Sequence, residues 1–382
     1  MSILRSRPVL RWLVPVAAGV AVIGGGAAVG TFAAEAEPSL PPRTAAQLLV
    51  DLQTSSLEGL SGTVVQRADL GLPPLVGLVP GNDLTALLSG THTLRVWYSG
   101  PDRQRVALVD TLGQRDIIRN GRDVWTWESR GNTARHRALG DSKGAAKPEA
   151  TPSLPATPRE AADLALSAID PSTEVSVGRS ATVAGRDAYE LVLEPRDRDS
   201  LVHQLRIAID AKQHVPLRFE VLASGSDQPA FEMAFTQVDY RRPDADQFAF
   251  NPPPGVSVTE ETAERPTAGR PAQVAPGRDP QVRTVGDGWT TVLVARLDAA
   301  AGQKPTAAAS QKPAAAAPGQ KPAAAAPDAD LSKLLGGLPA VSGDWGSGRL
   351  LTGKLFSVLL TDDGRVLAGA VTPQRLYQVA RG

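Results

Sequence analysis

Residues 95–129, RVWYSGPDRQRVALVDTLGQRDIIRNGRDVWTWES, decide the fold. Within this stretch and its first flanking residue, four runs alternate apolar and polar positions: 94–99, 103–110, 114–120 and 123–129. A period of two is the mark of a strand with one buried face. Gly100-Pro101-Asp102, Leu112-Gly113 and Asn120-Gly121 fall between the runs, where tight turns are required. Such short connections make successive strands neighbours and antiparallel. The stretch is a meander, and the rest of the chain is read outward from it.

On its N-terminal side, TAAQLLVDLQTSSL (44–57) places Ala45, Leu48, Leu49 and Leu52 at helical spacing, with Thr44 in position to cap. SGTVVQR (61–67) then reads as a strand. On the C-terminal side, REAADLALSAI (159–169) predicts a second helix. Strands follow at 174–177, 186–195, 203–210, 215–223 and 230–240. Leu205, Ile207 and Ile209 share one parity, as do Phe231, Met233 and Phe235. The expected class is α+β, mainly β. Its form is a curved antiparallel unclosed barrel, with helices over an apolar concave cavity.

The remaining segments divide the chain. Arg5, Arg7 and Arg11 precede an uncharged apolar stretch from Trp12 to Ala34. That stretch is long enough to cross a bilayer core of roughly 30 Å. Residues 1–36 therefore read as a retained membrane anchor or a cleaved signal peptide, with Ala34-Glu35-Ala36 as a small-x-small processing pattern. Basic residues before the stretch put everything after Glu35 outside the cytoplasm. Residues 43–258 form the main domain and 259–286 a linker. Residues 287–382 form a small β-rich module, interrupted at 301–328 by an Ala/Pro/Lys-rich insertion containing QKPTAAAS and QKPAAAAPG.

Composition removes several kinds of chemistry. The chain has no cysteine, which excludes disulfides, thiol catalysis and lipid attachment through an N-terminal Cys. Its 40 basic and 40 acidic residues balance, so bulk charge gives no attraction to nucleic acid. His92, His136, His203 and His214 form no H-x-x-H or H-E-x-x-H cluster, and no metal or other cofactor is expected. Gly140-Asp141-Ser142-Lys143-Gly144 has the G-x-S-x-G spacing but opens the polar Pro/Ala loop at 141–158 and not a strand-to-helix elbow, and no phosphate loop follows a strand. Asp102, Asp110, Asp116 and Asp123 read as carboxylates kept at turns and strand ends for solubility. The expectation is a protein that is not an enzyme.

An apolar groove beneath the helices suits an acyl chain, each CH₂ of which gains about 0.8 kcal/mol on leaving water. The expected lining is Leu94, Val96, Trp97, Trp125, Trp127, Ile207 and Phe219. The leucine-rich loop at 68–90 supplies a lid through Leu72, Leu75, Val76 and Leu78, or else folds back on the core.

The run L-x-G-L-S-G-T-V-V-Q at 57–66, with Leu57, Leu60, Ser61, Gly62, Thr63 and Val64, resembles the LolA/LolB/RseB-like superfamily of lipoprotein carriers and periplasmic sigma-factor regulators. The meander at 95–129 and the segments YELVLEPRD (189–197) and LRIAIDAKQHVPLRFEV (205–221) look like its two meanders. The resemblance covers roughly 43–255. It implies an unclosed barrel whose helices cap a cavity for lipid or lipoprotein acyl chains, at the cytoplasmic membrane. It also implies a regulator as alternative, one that senses envelope lipid and binds a transmembrane anti-sigma factor. A ligand-free envelope scaffold is the third reading. The cysteine-less N terminus and the added C-terminal part fit a Gram-positive-type member.

Overall fold

The computed structural model describes residues 38–71, 89–110, 113–139, 157–167, 169–261, 282–296 and 337–382. Helix α1 (Ala45–Thr54) opens with a capping box. The Gln47 amide donates to Thr44 Oγ1 (3.2 Å), and the Thr44 amide donates to Gln47 Oε1 (2.9 Å). The first meander then runs through β1 (Leu60–Asp69), β2 (Ser89–Tyr98), β3 (Arg103–Asp110), β4 (Gly113–Asn120), β5 (Asp123–Glu128) and β6 (Thr133–Ala138). Helix α2 (Pro158–Ser167) leads to β7 (Thr173–Val177), β8 (Ala181–Val183), β9 (Arg186–Pro195), β10 (Val202–Asp210), β11 (Pro216–Ala223) and β12 (Pro229–Asp239). A short strand β13 (Ser257–Glu261) follows a 3₁₀ turn at Ala245–Phe248.

These strands form one 13-stranded sheet in the order β13-β6-β5-β4-β3-β2-β1-β12-β11-β10-β9-β7, with β8 paired to β9. The sheet is curved and unclosed, mainly β with few helices, as the alternation in the sequence predicts. Neighbours are antiparallel except β13, which lies parallel to β6. The turn predicted at Asn120-Gly121 joins β4 to β5, and Gly121 adopts φ 63° there, a conformation that favours glycine. The two meanders meet where β1 pairs with β12, and their register shifts between Thr63 and Val64. Gly62 sits beside this irregularity. A Cβ there would collide with the Gln237 carbonyl and the Phe235 ring.

Register separates the two faces of the sheet. Leu191, Ile207, Phe219 and Met233 stand in line across β9, β10, β11 and β12. Val64, Leu94 and Leu108 continue the same face across β1, β2 and β3. Helices α1 and α2 cover its β9–β11 end, where Leu48, Leu52, Ala161 and Ala162 pack on Tyr189, Leu191, Leu205, Ile207 and Phe219. Leu60, Val64, Leu94, Val96, Met233 and Phe235 extend the apolar core toward β3.

A second sheet of six antiparallel strands follows. It contains β14 (Arg283–Val285), β15 (Val292–Arg296), β16 (Ala340–Gly343), β17 (Gly346–Thr352), β18 (Ser357–Thr361) and β19 (Arg365–Gly369), in the order β14-β15-β19-β18-β17-β16. Helix α3 (Pro373–Arg381) buries Leu376, Val379 and Ala380 against Val292, Val294, Leu359 and Leu367. This module packs on the main sheet. Trp289 Nε1 donates to Thr173 Oγ1 (2.8 Å), and the amides of Leu201 and Thr372 donate to Ala370 and Asp199 carbonyls (2.9 Å each).

Candidate functional site

The cavity described here lies beside α2, at the end of its helix-covered face. Its volume is about 620 Å³, within the range of small-molecule sites. Leu60, Val96, Val215 and Phe235, all buried, form the apolar floor, and Leu57, Tyr98 and Val106 complete the wall. Strand alternation explains the floor. Leu60, Val96 and Val106 come from three neighbouring strands with the same parity, so one face of the sheet presents them together.

The mouth is polar. Arg159, Glu160 and Asp163 line it from the first turns of α2, and Gln104 from β3. Arg159 Nη1 donates to Ser55 Oγ (2.9 Å), tying α2 to the residue that ends α1. Its Nε lies 3.7 Å from Asp163 Oδ2. The Glu160 amide donates to Thr157 Oγ1 (3.2 Å), which caps α2. The site can therefore hold an apolar chain in its interior and a polar group at its lip. No group of three or more His, Asp or Glu side chains able to hold a metal occurs among the described residues.

The structure distributes the seven expected lining residues over three places. Val96 and Trp97 border the cleft, Val96 from its floor and Trp97 near the end of β2, where strand alternation turns its side chain to the other face. Leu94, Ile207 and Phe219 share the helix-covered face but are packed into its core. Trp125 and Trp127 point to the opposite face, because Trp125 stands in register with Ile118 and Arg105, and Arg105 with Trp97. There Phe250 packs on both indoles, with ring centroids 5.1 and 6.2 Å away. The expected lid residues Leu72, Leu75, Val76 and Leu78 lie outside the described residues, as does the apolar stretch Trp12–Ala34. Among the described residues, no helix is long and apolar enough to cross a membrane.

The opposite face carries two polar arrangements that the sequence reading did not isolate. Asp116 is placed in the middle of β4 and is fully buried, a correction to its expected position at a solvated strand end. Arg105 forms a two-pronged pair with it through Nε (3.0 Å) and Nη2, and Gln114 Nε2 donates to it (2.6 Å). Arg105 Nη1 also donates to the Gln247 carbonyl (3.1 Å) and its guanidinium lies over Trp97. The second arrangement centres on His136, whose ring stacks on Trp125 at 4.2 Å between the carboxylates of Asp123 and Glu260.

Residues 88–254 match the family described as the MucB/RseB N-terminal domain. The match spans 167 of the chain's 382 residues and is a likeness to that domain. The matched segment takes in β2 to β12 and most of the cleft's lining, while α1, β1 and the lining residues Leu57 and Leu60 lie before it and β13 and the six-stranded module after it. Among solved structures, a chain of the Pseudomonas aeruginosa MucA/MucB complex aligns at 18% identity over 88% of this chain and 96% of that one, with a TM-score of 0.42. A LolA-superfamily protein from Nitrosomonas europaea aligns at 12% identity over 55% of this chain and 99% of that one, with a TM-score of 0.23. No curated protein matches the chain.

Proposed function

We propose that this protein binds the acyl chains of a lipid or lipoprotein outside the cytoplasm, reversibly and without a covalent step. The observation that carries this reading is the cleft itself. It combines an apolar floor of Leu60, Val96, Val106, Val215 and Phe235 with a charged mouth from α2. An acyl chain would lie on the floor, beside the end of β2 that carries Trp97, and its headgroup would meet the Arg159, Glu160 and Asp163 side of the mouth. Leu72, Leu75, Val76 and Leu78 would close over it, and residues 1–36 would hold the protein at the cytoplasmic membrane or be removed during export. Leu94, Ile207 and Phe219 would pack beside the floor, and Trp125 and Trp127 would support the sheet from its other face.

Native mass spectrometry of the exported chain, followed by denaturing lipid extraction, tests the proposal. A bound lipid that disappears in Val106→Asp, with the fold retained by circular dichroism, is the expected result. A lipid-free protein that also fails to take up a fluorescent fatty acid would overturn it.

The match to the MucB/RseB N-terminal domain favours a second reading. In it the protein is a regulator that binds the extracytoplasmic part of a transmembrane anti-sigma factor, with lipid as effector. Crosslinking in intact cells distinguishes the two, since a carrier yields lipid adducts without a stoichiometric membrane-protein partner.

A further inference from the structure

We infer that β13 is a proton-dependent strap, pinned to the edge of the main sheet by His136 and released when that imidazole loses its charge. β13 adds no buried side chain to the fold: all five of its residues are exposed, Val258 among them. Its hold on β6 consists of the parallel ladder, two contacts at its base and two side-chain links. At the base, Asn132 Nδ2 donates to the Gly255 carbonyl (2.7 Å) and the Ser257 amide to the Asn132 carbonyl (3.0 Å). Of the side-chain links, Arg135 and Glu261 are 4.0 Å apart and largely solvated, which contributes little. The other link is His136.

Both ring nitrogens of His136 face carboxylate oxygens. Nδ1 lies 2.7 Å from Glu260 Oε2 on β13, and Nε2 lies 3.0 Å from Asp123 Oδ1 on β5. An ionised carboxylate only accepts, and a neutral imidazole carries a single N–H. Only the imidazolium can therefore satisfy both contacts; the neutral ring leaves a lone pair against one carboxylate. The Trp125 face stacked on the ring also favours a cation. Glu260 and Asp123 are the charged groups that face the ring from the neighbouring strands. Arg135 and Arg137 alternate to the other side of β6, and Arg105 lies three strands away in the same row, paired with Asp116. Desolvation pulls the His136 pKa down, but Glu260 and Asp123 together raise it above the ordinary histidine value.

The sign follows. A pKa raised on folding contributes stability that is complete in acid and lost as pH rises through the folded value. Acid pins β13. Rising pH frees it, which uncovers the backbone edge of β6 for strand pairing and lengthens the connection toward β14.

Amide hydrogen exchange of the full chain at pH 5.5 and 8.5, corrected for intrinsic rates, tests the strap. The opening equilibrium of residues 257–261 should rise about tenfold at the higher pH, the scale of one charge-assisted hydrogen bond, while β9 and β10 stay unchanged. In Glu260→Gln the amide can donate or accept, so the difference should shrink to about twofold. An NMR titration of the His136 ring should move to lower pH in the same variant. Equal protection of β13 at both pH values in the wild type, or an undiminished difference in Glu260→Gln, would overturn the inference.

Discussion

Lys354 Nζ lies 2.6 Å from Asp69 Oδ2, and the Lys354 backbone amide donates to the Leu70 carbonyl at 2.7 Å. The turn between β17 and β18 is thereby fastened to the end of β1, just before residues 72–88. The Lys354 ammonium holds the Asp69 carboxyl below the usual carboxylate range. Both side chains are exposed, so the charge pair itself contributes little. The close approach of backbones is the stronger constraint, because a Cβ on Gly353 would press on the Leu70 carbonyl. Gly353→Val should separate the two sheets at this point while Lys354→Ala should not. Limited proteolysis after residue 69 reads the difference, with faster cleavage expected only in Gly353→Val.

Arg105 neutralises a carboxylate that water cannot reach. Arg105→Met leaves Asp116 buried without a counter-charge, which costs about 3–5 kcal/mol. Asp116→Leu added to it should recover most of the loss, because the pair then disappears together. Urea unfolding of the three variants gives the comparison, and a double variant as unstable as the single one would contradict this account.

The acid limb of stability should depend on Asp210. Burial alone would raise its pKa, but Arg186, the amides of Gln213 and Lys212 and the Tyr240 hydroxyl together hold it below the ordinary carboxylate value. A depressed folded pKa contributes stability that is present above the unfolded value and lost as pH falls through the folded one. The same carboxylate, with burial acting first, pushes the Tyr240 hydroxyl well above its usual range. Thermal unfolding of Asp210→Asn should give a lower plateau near neutrality and a flatter decline below pH 4 than the wild type.

If acyl chains occupy the cleft, affinity should track chain length. Each methylene removed from the ligand should weaken binding by about 0.8 kcal/mol, near fourfold, until the cleft is filled. Val106→Trp narrows the floor and should shift the break in that series to shorter chains. Isothermal titration with a set of fatty acids measures both, and an affinity independent of length would place the ligand elsewhere.

Much of the architecture was legible because strands half-buried on a sheet announce themselves by alternation. The four runs between Leu94 and Ser129 and the Leu205-Ile207-Ile209 series fall where strands occur. The same rule could not say which face receives the helices. Trp125 and Trp127 share a parity, yet both sides of β5 are partly covered, one of them by Phe250 returning from beyond β12. β13 was illegible for the opposite reason: with every side chain exposed, SVTEE has no apolar period. Helix α3 did leave a signal in Thr372-Pro373 followed by Leu376, Val379 and Ala380, an N-terminal proline with helical spacing after it.

The seam between β1 and β12 sets an order of events for a chain made from its N terminus. Arg67 and Glu232, which face each other across it at 3.2 Å, are 165 positions apart. The first meander can zip from β2 to β6 by local hairpins, but β1 then waits with one side unmatched until the eleventh strand to follow it has been delivered. A late step in assembling the main sheet is thus the joining of two preformed halves, and a nascent chain halted before residue 229 would display a sticky, unfinished border.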